Sequence, residues 1–70
     1  MKFEEFKEEI FNNLENLPED WRKGQKIFNY VDFAYGDLAR HIQFEHGVDC
    51  FYRDDLIDDF LKEVYNDLYC

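Results

Sequence analysis

The sequence predicts a small α+β domain in which three helices pack against a β-hairpin, in the order α-α-β-β-α. Three observations predict it. Apolar residues recur at steps of three and four along three segments, the period of helices with one buried stripe. Between the second and third of these, residues 37–53 alternate apolar and polar side chains around a His-Gly pair. Seventy residues make one domain, with no linker, low-complexity tract or repeat along residues 1–70. The alternative is an all-α bundle, with a short helix ending at Gly47 in place of the hairpin.

The first helix covers residues 2–16. Phe3, Phe6, Ile10, Leu14 and Leu17 form its stripe. Glu4 and Glu5 lie in the first turn, where the helix dipole favours negative charge. Asn12, Asn13 and Asn16 weaken the end, and Pro18 stops it, because the residue before proline avoids helical angles. The second helix is expected to start at Pro18, with Glu19 and Asp20 in its first turn. Its stripe is Trp21, Gly24, Phe28, Val31 and Tyr35, flanked by Ile27 and Ala34. Gly24 is anomalous there, since a mid-helix glycine costs about 1 kcal/mol relative to alanine. Its place on the apolar face implies that a neighbour packs too closely to admit a side chain. Gly36 fits the left-handed position that ends the helix.

In residues 37–53, Leu38, Ala39 and Ile42 continue the helical spacing from Tyr35. Yet Arg40, Ile42 and Phe44 also alternate with His41, Gln43 and Glu45, as in a strand. Val48 to Tyr52 is rich in strand formers. A His46-Gly47 turn would set Ile42 opposite Phe51. The last helix starts at Asp54 or Asp55, either of which suits the N-cap, and Asp55 with Asp58 loosely resembles a capping box. Leu56, Ile57, Phe60, Leu61, Val64, Tyr65 and Leu68 give it the widest stripe in the chain.

Seventeen acidic residues against eight basic ones give a net charge of −9. That balance repels DNA, RNA and anionic lipid as direct partners and draws basic surfaces. Eight Phe, five Tyr and one Trp exceed what so small an interior holds, so some rings are expected outside as contact anchors. No apolar run approaches the ~20 residues of a membrane span. Charged residues interrupt any leader-like stretch at the start, and the cytosol, with reduced Cys50 and Cys70, is the expected compartment.

The residue inventory points away from catalysis, metal and cofactor. The chain has no Ser and no Thr, and Gly24, Gly36 and Gly47 are isolated, so no phosphate-cradling loop is present. His41, His46, Cys50 and Cys70 follow no zinc spacing. A Cys50–His41 pair lacks a group to activate the thiol. The acids are not interleaved as in a calcium loop. They form two quartets instead: Glu4, Glu5, Glu8 and Glu9, and Asp54, Asp55, Asp58 and Asp59. Acids four apart on a helix are spaced by ~6 Å, an interval comparable to that of phosphates along a strand. Two such strips would offer a phosphate-like surface to a nucleic-acid-binding protein, or else serve as a solvated face. Arg22, Lys23 and Lys26 make the one basic cluster, beside Trp21. Trp, Tyr and Arg are enriched at the energetic centres of interfaces, which selects Trp21, Arg22, Tyr30, Tyr35, Tyr52 and Arg53 as candidate anchors.

The segments Trp21-Arg22-Lys23-Gly24-Gln25-Lys26-Ile27-Phe28-Asn29-Tyr30 and Val48-Asp49-Cys50-Phe51-Tyr52, with Ala39-Arg40 and Gln43-Phe44 between them, carry a resemblance. They resemble small uncharacterised acidic proteins of bacterial phages and prophages, over most of residues 21–61. The resemblance implies an accessory protein in the bacterial cytoplasm that occludes a host or defence protein, such as a CRISPR effector, by nucleic-acid mimicry. It brings no catalytic or binding residue with it. The expected partner is a protein with a basic surface. The alternative is a structural module that buries its surplus rings in a homo-oligomer.

Overall fold

The computed structural model describes residues 1–69. Among the described residues there are four α-helices and no strand: α1 (Phe3–Asn13), α2 (Lys23–Ala34), α3 (Leu38–His46) and α4 (Ile57–Tyr69). Short 3₁₀ turns, Leu14–Asn16 and Asp54–Leu56, follow α1 and precede α4. Helix α1 packs on α2 and α4, and α3 packs on the same two, so the helices close into a ring of four. The expected α+β class is therefore wrong and the all-α alternative holds.

The hairpin fails for a reason that packing makes plain. Ala39 and Ile42 are fully buried on one side of α3. As a helix, residues 38–46 bury that pair and turn Phe44 away from the core; as a strand they would have put Ile42 and Phe44 on one face. Gly47 ends α3 at φ +68°, the left-handed cap rather than a hairpin corner. Beyond it, the chain to Arg53 is irregular and dips once into the core at Cys50, which is fully buried.

The stripes read from the sequence mark the core well. Phe6, Ile10 and Leu14 of the first helical segment are buried, as are Ile57, Phe60, Leu61 and Val64 of α4. From α2 the core takes Ile27, Phe28 and Val31. Phe28 stacks on Phe60 and meets Phe51 edge-on, each at 5.6 Å between ring centres. At the other end Phe6 is ringed by Tyr35, Tyr65 and Tyr69. Helix α2 begins five residues later than expected. Pro18 opens a turn closed by a bond from the Trp21 amide to the Pro18 carbonyl, and Trp21 is half-buried before the helix starts. Ala34 is exposed, while Gly36, at φ +67°, ends α2 as expected.

Gly24 is where the chain crosses itself. It is the second residue of α2, and a side chain there would drive into the Cys50 carbonyl oxygen and lie 2.8 Å from the Asp54 carboxylate. The obstacle is backbone, which cannot swing aside. Gly24→Ala is therefore expected to destabilise the fold by about 1–3 kcal/mol through overpacking, although alanine is the better helix former. Urea unfolding checks it, and a midpoint equal to or above wild type contradicts the crossing.

Candidate interaction surface

The crossing organises one side of the molecule. The Gly24 amide, unpaired within its own helix, donates to Asp54 Oδ1 at 3.0 Å. Asp54 was expected to cap the last helix; its carboxylate instead caps α2, thirty residues away. The Cys50 thiol donates to the Gly24 carbonyl at 3.3 Å, and the Arg22 guanidinium donates to the Phe51 carbonyl at 2.9 Å. Asp49 holds the approach: one carboxylate oxygen accepts from the Phe51 amide at 2.8 Å and the other from Gln43 at 2.6 Å. Residues 22–24 and 49–54, distant in sequence, thus form a single clasp.

Tyr52 stands on the outside of this clasp, 72% exposed, with the Arg22 guanidinium 5.5 Å from its ring centre. Beside it runs a groove of about 250 Å³ lined by Phe28, Arg40, Gln43, Asp49, Phe51 and Tyr52. One turn beyond Arg40 is Phe44, 87% exposed, and on α2 is Phe33, 89% exposed. Arg40 pairs with Asp32 at 3.3 Å across the α2–α3 seam. Three aromatic side chains thus stand in water on or beside two neighbouring helices.

Sequence reasoning found part of this surface. Tyr52 and Arg22 come together as candidate anchors; Arg53 sits next to them but forks onto Asp55, at 2.7 Å. Trp21 is half-buried, and Tyr30 and Tyr35 pack against the core, so these three are poor anchors. Phe33 and Phe44 were missed. The signal for Phe33 was its position off the stripe that runs through Phe28, Val31 and Tyr35. Phe44 was hidden by the strand reading.

The acid quartets are exposed throughout. Glu4, Glu5, Glu8 and Glu9 lie along α1. The second quartet is not one strip, because Asp54 and Asp55 belong to the 3₁₀ turn and only Asp58 and Asp59 to α4. Lys7 reaches Asp58 at 2.6 Å and holds that carboxyl below its usual range; Arg53 does the same for Asp55. Phe11 lies between two ammonium groups, Lys7 at 5.7 Å and Lys23 at 4.6 Å from its ring centre. The acid coat is thus pinned in places by cations that share its face.

The soft-ligand candidates are dispersed. His41 and His46 face Asp67 and Glu63 of α4, at 3.9 and 3.5 Å, while Cys50 is buried beside α2. Cys70 lies outside the described residues. No helix among the described residues is long and apolar enough to cross a membrane. Known protein families, curated proteins and solved structures contain no match to this chain.

Burial, with the carboxylate of Asp49 next in effect, pushes the Cys50 thiol from 9.0 up to about 12. The fold therefore favours the protonated thiol. That stabilisation is complete below the ordinary thiol value and fades as pH climbs from about 9 towards 12. Wild type should be more stable than Cys50→Ala at neutral pH, with the gap narrowing above pH 9 in parallel urea titrations. A gap that stays constant to pH 11 would show that the thiol proton is not held by the clasp.

Proposed function

We propose that this chain is a non-enzymatic interaction module that assembles with copies of itself through the α2–α3 side. One observation carries the reading: three large rings, Phe33, Phe44 and Tyr52, stand exposed to water. Exposed rings of this size beside a groove mark contact sites. The groove supports the reading further, because its floor of Phe28 and Phe51 is already aromatic. The compartment this reading assigns is the cytoplasm, where a reducing environment keeps thiols free. Sedimentation over a wide concentration range should give a mass that rises above the 8.7 kDa of one chain. Phe44→Asp should weaken that association about tenfold or more, equivalent to ~1.4 kcal/mol. Wild type that sediments as a monomer at every concentration removes the reading.

A second reading has its own support. Glu4, Glu5, Glu8, Glu9 and Asp59 are exposed and make no ion pair among the described residues. In this reading the acid coat binds a basic protein surface, as the likeness to phage proteins implies, and occludes a nucleic-acid-binding host or defence protein. Long-range attraction of this kind weakens as salt screens it. A nucleic-acid-binding protein captured from bacterial lysate should be held at low salt, released at high salt, and lost on charge reversal at Asp55, Asp58 and Asp59. Retention indifferent to both would rule out mimicry.

A further inference from the structure

We infer that the seam between α3 and α4 is a proton-operated latch, in which His41 and His46 hold α3 in place at mildly acidic pH and loosen it above neutrality. The chain has two histidines, and both lie on α3. Each faces a carboxylate of α4 across the same seam. His41 Nε2 is 3.9 Å from Asp67, and His46 Nδ1 is 3.5 Å from Glu63. The earlier histidine meets the later acid, so the two contacts fasten successive levels of one antiparallel seam. Histidine is the side chain that ordinarily changes charge between pH 5 and 8. One seam therefore carries both such side chains of the molecule.

The surroundings favour the charged rings. On α3 itself, Asp37 and Glu45 lie four residues to either side of His41. His46 is in the last turn, where the helix dipole attracts a cation. The other charges around α3 are engaged elsewhere. Arg40 pairs with Asp32 of α2, and Asp49, in the segment after α3, takes the Gln43 and Phe51 donors. Lys62, next to Glu63, lines a hollow with Phe3 and Tyr65 on the α1 side. One effect opposes protonation. The two imidazoles meet edge-on with ring centres 6.4 Å apart, so each cation disfavours the other. Four carboxylates, Asp37, Glu45, Glu63 and Asp67, stand against that one repulsion.

Charged rings thus favour the seated helix. Their contribution is complete below the ordinary imidazole value of about 6.5 and is lost as pH climbs past it. Helix α3 is where such a contribution tells. It is the shortest of the four helices, with nine residues, and it buries only Ala39 and Ile42. Its N-cap residue, Asp37, makes no side-chain cap bond. A helix of that length does not persist without tertiary contacts, and an element with little buried surface opens first. Arg40, Gln43 and Phe44 ride on α3, so protonation of the two rings sets how firmly the groove wall beside Tyr52 is held. The latch works within a single copy and stands whether or not the chain self-assembles.

Unfolding at two pH values tests it. His41→Gln with His46→Gln removes both titrating rings; Glu63→Gln with Asp67→Asn removes the facing acids. All four side chains are partly exposed, so both variants should keep the helical circular dichroism of wild type. In urea at pH 5.5, the folding equilibrium constant of wild type should exceed that of the histidine variant by about threefold to tenfold, the scale of two exposed ion pairs. That advantage should shrink by about threefold or more at pH 8. In the carboxylate background, replacing the histidines should have an effect that depends much less on pH. An advantage equal at the two pH values, or a pH dependence undiminished in the carboxylate background, overturns the latch. Amide hydrogen exchange in wild type gives a reading that needs no variant. Corrected for intrinsic rates, the protection of Leu38–His46 relative to α1 should fall by about threefold from pH 5.5 to pH 8. Equal protection at both overturns the latch as well.

Discussion

The fold depends on the missing side chain of residue 24. At that point α2 touches the segment between α3 and α4 so closely that backbone meets backbone, and all of Gly24's polar groups are engaged across the crossing. Its amide takes the Asp54 carboxylate, and its carbonyl takes the Cys50 thiol. Without that approach, Cys50 would not reach the core and Phe51 would not meet Phe28 edge-on. The position of Asp54 also sets where the 3₁₀ turn, and after it α4, begins. The glycine, which the sequence reading set in mid-helix, stands instead at the second position of α2, kept there by a contact that no other residue permits.

The second constraint is size. A domain this small has few interior places, and among the rings of the described residues only Phe6, Phe28 and Phe60 are buried. Many others lie half-covered around that core, including Phe3, Phe11, Tyr30, Tyr35, Phe51 and Tyr65. They shield it while their edges remain wet. Stability therefore rests on the aromatic contacts and the clasp more than on the surface ion pairs. Exposed pairs such as Arg53–Asp55 contribute about 0–1 kcal/mol.

Much of this was legible in the sequence. The stripes of α1 and α4 have apolar residues at unbroken helical spacing, and both helices form where those stripes lie. Gly24 and Gly36 were readable because each sits where glycine has a specific use, close approach in one case and a left-handed cap in the other. Residues 37–53 were not readable, because over so few positions a period of two and a period of three to four select overlapping residues. Ile42 satisfies both; only its burial together with Ala39 against α2 and α4, a tertiary fact, decides between them. Misreading that stretch also misplaced Phe44, one of the three exposed rings of the aromatic surface. Asp54 failed differently. The sequence shows an aspartate suited to a helix N-terminus, and the chemistry was right, but the helix it caps lies thirty residues back.

The clasp and the exposed face are mechanically one object. Arg22 reaches the Phe51 carbonyl with its guanidinium and lies against the Tyr52 ring, so its cation is held in place rather than free to roam. Asp49 fixes Gln43 on α3 and the Phe51 amide together, which sets the groove's far wall. Side chains immobilised in this way lose little entropy when a partner arrives, and pre-organisation of that kind raises affinity without adding contacts. The contact that lets the chain close on itself is therefore also the one that shapes the exposed surface around Tyr52.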